Sequence, residues 1–360
     1  MKTGGMTRRS VISGLRRREP RKRVAMTASS RTPILVAAVG IVAAMIGSVP
    51  TTAGTVRSLV HRLPQVCDPG AETIELYAER LGKNRIGYGR TPDRAKIPGP
   101  TLKMTEGECL AVRLVNHTDK RLSMHAHGVG YTVASDGTPL NRGCVRPGRS
   151  RTYVFEAHAP FTRADGTVAA GSAGYWHYHD HCMGSEHGTE GINAGLFGAL
   201  IVRRPEDPLP DRRPFVVVMK DFTINLETAP DTPTFKANEG ERIEFVVIGH
   251  GNLFHTFHLH GHRWADTRTG MPSGLEASTQ VIDNRTLGPA DSFGFQVIAG
   301  EGVGPGLWMY HCHVQDHSDA GMTGNLLVRT PDGEIPQAAK KALRAFEREA
   351  GTHAGHNAAH

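Results

Sequence analysis

A chain of 360 residues with 39% hydrophobic content has room for two ordinary domains, which usually run to about 100 to 150 residues each, so a single core is not expected. The formal net charge of +7 resembles that of a nucleic-acid binder, but residues 1–31 hold ten Lys and Arg against Glu19 alone. That leader carries about +9 and leaves the remainder near −2, which excludes a basic nucleic-acid groove as a property of the folded part.

The basic leader runs into an uncharged stretch, Ile34 to Val49, and then into small residues Thr51, Thr52, Ala53 and Gly54, the three-part layout of a secretory signal. Within it, Thr7-Arg8-Arg9-Ser10-Val11-Ile12 looks like a twin-arginine export motif. A second basic run separates that motif from the apolar stretch, and a true start at Met26 would account for the spacing. Residues 1–55 are therefore expected to direct export. An uncleaved membrane anchor is the alternative, the stretch being slightly short of the roughly 20 residues of a bilayer span. Of the five cysteines, Cys312 is set apart by its neighbours, whereas Cys67, Cys109, Cys144 and Cys182 could pair in an oxidising compartment in combinations that sequence does not decide.

Beyond the leader, short runs rich in Val, Ile, Leu, Tyr and Phe alternate with Gly, Pro, Asn and Asp clusters, as in Cys109 to Val115, Arg151 to Phe155, Phe215 to Met219 and Arg242 to Ile248. These are strand and turn signals. They predict two all-β sandwiches, over 60–204 and 211–332, and a helix or tail over 336–360, with its helical pattern at Gln337 to Ala350. The Pro-rich, charged run from Arg203 to Pro210 reads as the linker.

The halves repeat. Thr101-Leu102-Lys103-Met104-Thr105-Glu106-Gly107-Glu108 recurs 133 residues later as Thr234-Phe235-Lys236-Ala237-Asn238-Glu239-Gly240-Glu241. At that offset His125 and His127 map to His258 and His260, and at an offset of 134 His177 and His179 map to His311 and His313. Matched histidine pairs imply a site fed by both copies. On a strand, residues i and i+2 share a face about 6.5 Å apart, so each His-x-His can reach two neighbouring metal ions while its middle residue points away. In the last pair the middle residue is Cys312. With His255, His317 and Met322 it makes two imidazoles, a thiolate and a weak axial thioether, the donor set of a blue-copper site.

Together, His125-x-His127, His177-x-His179, His255-x-x-His258-x-His260 and His311-Cys312-His313-x-x-x-His317-x-x-x-x-Met322 resemble the four copper motifs of the multicopper oxidases. The stretch from Thr101 to Arg329 is similar to the small bacterial laccases with two domains. The resemblance implies two cupredoxin-like Greek-key β-sandwich domains and four coppers. His255, Cys312, His317 and Met322 would hold a type 1 copper, His125 and His258 a type 2 copper, and His127, His177, His179, His260, His311 and His313 a type 3 pair. It further implies a homotrimer with the histidine cluster shared between subunits. Electrons from a small-molecule donor would pass through Cys312 to His311 and His313, and dioxygen would be reduced to water. Under the repeat offsets His255, Cys312, His317 and Met322 fall on Leu122, Tyr178, Met183 and Gly188, so domain 1 lacks its own blue site. Copper nitrite reductases, which keep that site in domain 1, are a poor second.

Asp136 and Asp283 are expected, by the same resemblance, to supply protons for oxygen reduction, the bland alternative being turn residues beside Gly137 and Asn284. Tyr131 could be a redox-active neighbour of the cluster or simply a buried strand tyrosine. His61, His117, His158, His187 and His250 read as surface or core residues without partners, His181 and His262 as extras beyond the ligand count, and His353, His356 and His360 as part of a solvated tail. Three functions stay in play: a laccase-like oxidase of phenols or aromatic amines, an oxidase of a metal ion such as cuprous copper, and a copper-binding protein without turnover.

Overall fold

A computed structural model gives the structure, which describes residues 73–275 and 277–353. The leader, His61, Cys67, His356 and His360 lie outside the described residues, and among these no helix is long and apolar enough to cross a membrane.

Domain 1 contains β1 (Thr73–Arg80), β2 (Ile86–Gly89), β3 (Gly99–Thr105), β4 (Cys109–Asn116), β5 (His125–Ala126) and β6 (Ser150–Glu156). A small ribbon of β7 (Phe161–Thr162) and β8 (Val168–Ala169) precedes β9 (Gly174–His179), α1 (Thr189–Ala194) and β10 (Phe197–Arg203). Domain 2 continues with β11 (Phe215–Lys220), β12 (Thr223–Ile224), β13 (Thr234–Asn238), β14 (Arg242–His250), β15 (His255–Leu259) and a ribbon of β16 (Trp264–Ala265) and β17 (Val281–Ile282). It closes with β18 (Asn284–Leu287), β19 (Ser292–Ile298), β20 (Gly306–Cys312), α2 (Gln315–Asp319), β21 (Thr323–Arg329) and α3 (Gln337–His353).

The two domains share one topology. Domain 1 faces a β2-β1-β4-β6 sheet with a β3-β10-β9-β5 sheet, and domain 2 faces β12-β11-β14-β19 with β13-β21-β20-β15-β18. In each, the first long strand runs parallel to the third element of its sheet, β1 to β4 and β11 to β14, as a Greek-key crossover requires. Alternation drives the packing: in β4, Val112 and Leu114 are fully buried while Arg113 between them is exposed. Each sandwich encloses its own core, Leu76, Leu102, Val112, Tyr153 and Phe155 in the first and Phe245, Phe257, Phe295, Tyr310 and Leu326 in the second.

A third core joins the domains. Tyr175, Phe197, Ala199 and Ile201 from β9 and β10 pack on Val218, Leu226, Val246 and Ile248. At its edge Glu244, 1% exposed, receives Arg203 on both carboxylate oxygens at 2.8 and 2.7 Å, the Tyr175 hydroxyl at 2.8 Å and Gln296 Nε2 at 3.1 Å. The linker reading of Arg203–Pro210 is thereby corrected at its start: Arg203 ends β10 and is buried in this ion pair. The run is also pinned further on, by Arg268 on the Asp207 carboxylate and by Gln296 Nε2 on the Pro208 carbonyl at 2.9 Å. These ties fix one domain on the other because leaving any of the buried partners unpaired is costly.

Glu244→Ala is expected to destabilise the protein by about 3 to 5 kcal/mol, the usual cost of stranding a buried charge. Urea denaturation measures it, and a loss below about 1 kcal/mol would show that the pair does not hold the interface.

Candidate metal centre

In domain 2, β15 and β20 are neighbours with His258 opposite His311. His258, His260, His311 and His313 form a ring of imidazoles, with centroids 4.9 Å apart for His258 and His260, 5.2 Å for His260 and His311, 5.2 Å for His311 and His313 and 5.4 Å for His258 and His313. Domain 1 repeats this arrangement with His125 opposite His179. The matching separations are 5.1 Å for His125 and His127, 5.3 Å for His127 and His179, 5.5 Å for His179 and His181 and 5.1 Å for His125 and His181.

The quartet that mirrors domain 2 therefore contains His181 and not His177. The strands superpose at an offset of 132, where Gly174, Trp176, Tyr178, His179 and His181 match Gly306, Trp308, Tyr310, His311 and His313. Hydrogen bonds agree: His127 N–H donates to the His177 carbonyl and His260 N–H to that of Met309, while the indoles of Trp176 and Trp308 donate to the carbonyls of Ser172 and Gly304. Gly128 and Gly261 (φ 74° and 71°) lie against those indoles, where a Cβ would come within 2.0 and 2.9 Å. The offset of 134 is thus corrected, as are its partners: Cys312 corresponds to Asp180, His317 to Ser185 and Met322 to Glu190, with His255 still on Leu122. Domain 1 has no thiol at that place. It has a fully buried carboxylate, accepting backbone N–H groups from Ser123 at 2.6 Å, Met183 at 2.7 Å and Cys182 at 3.2 Å. Burial nevertheless raises the Asp180 carboxyl to about 6.

The quartets are built to present Nε2. Nδ1 of His125, His179, His258 and His311 donates to the carbonyls of Asp136, Asp180, Asp283 and Cys312 at 2.7, 2.7, 2.8 and 2.7 Å. His181 Nδ1 donates to the Glu186 carbonyl at 2.6 Å. Such bonds fix tautomer and ring orientation and leave the other nitrogen for a metal. In both domains two Nε2 atoms then face each other at 3.2 Å, His127 with His179 and His260 with His311. That separation fits two nitrogens each about 2 Å from one ion. Burial also holds these rings neutral, the form a metal requires, lowering His127 to about 4 and His179 well below the ordinary histidine value.

Across β20 from its histidines, Cys312 points into the core. It is the free thiol among the described residues and is fully buried, with Sγ 3.6 Å from His317 Nδ1 and 3.9 Å from His255 Nδ1. Met322, also fully buried, belongs to the same core, and its carbonyl and amide bond to Cys312 N–H and the His317 carbonyl, both at 3.0 Å. His255 is lowered to about 4 by burial and by its neighbour His317. Two imidazoles and a buried soft sulfur fit copper.

The Asp136 and Asp283 carboxylates lie 3.7 and 3.8 Å from Nδ1 of His125 and His258, and their carbonyls orient those rings. Asp136 also serves its turn, and although burial would raise its carboxyl, hydrogen bonds from Thr138 and Asn141 hold it below the ordinary range. Tyr131 is 36% exposed and edge-on to His125 at 5.8 Å, so the buried-strand alternative is corrected. His262 has no nitrogen to spare: Nδ1 donates to the His260 carbonyl at 3.0 Å and Nε2 accepts from Gly300 N–H at 2.9 Å. The histidines read as lone include three with partners, His117 beside Glu79, His187 beside His181, and His250, which is buried against His177. Sequence carried no signal for that last contact. A disulfide joins Cys144 to Cys182, and Cys109 is also disulfide-bonded.

Two family models described as multicopper oxidase match the chain, one over residues 94–207 and the other over 208–332. Among curated proteins, a probable nitrite reductase-hydroxylamine oxidoreductase fusion protein of Kuenenia stuttgartiensis is 33% identical over 67% of this chain and 28% of its own length. The ferroxidase HEPHL1 of Homo sapiens is 27% identical over 72% of this chain and 27% of its own length. The chain thus spans under a third of the length of these relatives. In fold it is similar to a blue copper oxidase from Nitrosomonas europaea (TM-score 0.52, 23% identity, 71% of this chain and 85% of that one) and to the multicopper oxidase mgLAC (TM-score 0.54, 21% identity, 74% and 88%).

Asp180→Asn would set an amide NH2 against backbone donors and is expected to cost about 1 to 3 kcal/mol at neutral pH. Thermal unfolding of the copper-free protein measures this, and an unchanged midpoint would show that the carboxylate does not anchor the segment between His179 and Met183.

Proposed function

Because the chain belongs to the multicopper oxidase family, we propose that it couples one-electron oxidation of phenols or aromatic amines to the reduction of dioxygen to water, the laccase type of reaction. The observation that carries this reading is the run His311-Cys312-His313 at the end of β20, whose thiol joins the buried His255 and His317 while its histidines join a quartet on the other face. Cys312, His255 and His317, with Met322 as the weak fourth donor, would hold a type 1 copper. His125 and His258 would hold type 2, and His127, His179, His181, His260, His311 and His313 the type 3 pair, with His181 taking the place first given to His177. Bound copper would supply the single-electron transfers and the oxygen chemistry.

The chain's residues divide the remaining tasks. His255 is fully buried, whereas His317 is 7% exposed and meets the ring of Phe222 edge-on at 5.0 Å. Phe222 is 46% exposed, Phe254 next to His255 is 67% exposed and Val314 is 36% exposed. An apolar, aromatic rim suits a planar aromatic donor docking at His317. Asp221, whose charge acts on His255, is engaged by Lys220 Nζ at 2.6 Å and Asn252 N–H at 3.0 Å, which argues against a metal-ion donor. Asp136 stays ionised near neutrality, so its carboxylate would orient a proton carrier beside His125 and would not store the proton itself.

The donor groups His125, His127 and His179 and His258, His260 and His311 each draw on a single domain. This supports a head-to-tail ring in which domain 1 of one copy completes domain 2 of the next, closing as a homotrimer. Asp180 at the Cys312 position leaves domain 1 without a thiolate, which argues against nitrite reduction.

Oxygen uptake by the copper-loaded full chain with a simple phenol tests the reading. About four donors should be oxidised per dioxygen without peroxide, as single-electron steps to water require. Uptake with ferrous or cuprous ions but not with phenols would overturn the donor class, and nitrite-dependent nitric oxide release would favour the nitrite reductase reading. Cys312→Ser is expected to abolish the visible blue absorption and phenol turnover while the histidine sites keep their copper. Retained blue colour would sink the type 1 assignment.

A further inference from the structure

Beside the domain 1 quartet lie two buried histidines that it does not use. His177 is fully buried and stacks on His127 with centroids 4.0 Å apart and an interplanar angle of 27°. His250 is 3% exposed and ends β14 of domain 2, opposite Lys220 of β11. It reaches across the domain junction to stand edge-on to His177 at 5.0 Å, 5.6 Å from His179. Both nitrogens of His177 and Nε2 of His250 are buried with no hydrogen-bond partner. Each such atom costs about 1 to 3 kcal/mol, and an apolar ring fits the locality, since Phe197 lies 5.4 Å from His250. Packing alone would be better served by Phe at both positions.

We propose that His177 and His250 are a positioning pair for His127, through which domain 2 gives polar support to the half of the metal centre that domain 1 carries. The proposal rests on the copper-centre reading and extends it across the domain junction. His177 sets the plane of the His127 ring by stacking, and His250 sets His177 by its edge. Their unpartnered nitrogens put polar edges beside His127 and His179, where phenyl rings would offer none. Loss of such outer partners lowers metal affinity about 10- to 100-fold.

His250→Phe keeps the shape and removes the polarity, and His250→Gln does the reverse. In copper titrations of the full chain against a competing chelator, the near-ultraviolet absorption of the histidine-bound copper reports the histidine sites. The visible band of the Cys312 site serves as an internal control. His250→Phe is expected to bind copper at the histidine sites about 10- to 100-fold more weakly, with an unchanged visible band, and His250→Gln to stay within about threefold of wild type. Wild-type affinity in His250→Phe, or a Gln variant no better than the Phe variant, would overturn the proposal. Should His250→Phe fail to fold, His250→Ala takes its place in the same comparison. A wild-type chain that binds no copper at the histidine sites would strike the copper-centre reading itself.

Discussion

Everything at the centre follows from one constraint, the twofold alternation of an extended strand. Consecutive side chains must face opposite ways, so the run His311-Cys312-His313 at the end of β20 cannot send all three to one place. The sulfur enters a core of Phe257, Tyr310 and Met322, and the imidazoles line the opposite surface. In domain 1 the same alternation buries Asp180 and presents His179 and His181. The carboxylate holds this segment by accepting three backbone N–H groups, while in domain 2 the thiol takes that place. Two copies of one strand frame thus differ in chemistry through a single buried side chain.

The sequence revealed much of this and concealed a defined part. Strands such as Arg242 to Ile248 were legible from β-rich runs, and the group of His255, Cys312 and His317 from its donor types. Register was not legible in domain 1, because His177, His179 and His181 all lie two residues apart and any adjacent pair satisfies a His-x-His pattern. The distinction comes from cross-strand partners: His125 stands opposite His179 as His258 stands opposite His311. The Gly-x-Trp-x-Tyr-His frame shared by both strands holds that information, whereas the histidine spacing alone does not. His250 was invisible for another reason, since its neighbours are set by how two domains meet and no local pattern encodes that.

The domain junction is accordingly more than a hinge. Its apolar part is formed by β9 and β10, and β9 also carries His177 and His179. Tyr175, two residues before His177, donates to Glu244, and Ser292 donates to the Tyr175 carbonyl at 2.8 Å. The strand that places the domain 1 imidazoles is therefore gripped from domain 2 at several points, and His250 adds a contact inside the site. Rigid placement of that half is what a centre completed by another copy would need, because neither half can correct the other's misalignment within one chain.

The bond between Cys144 and Cys182 narrows the choice of sulfur open to a metal. Cys182 directly follows His181, so in reduced form a second soft donor would stand at the edge of the imidazole quartet and compete for any thiophilic cation. Oxidation removes that competitor and, in the same step, ties the segment after His181 to the loop that follows Asp136. A chain oxidised first then offers an incoming metal one free thiol among the described residues, Cys312.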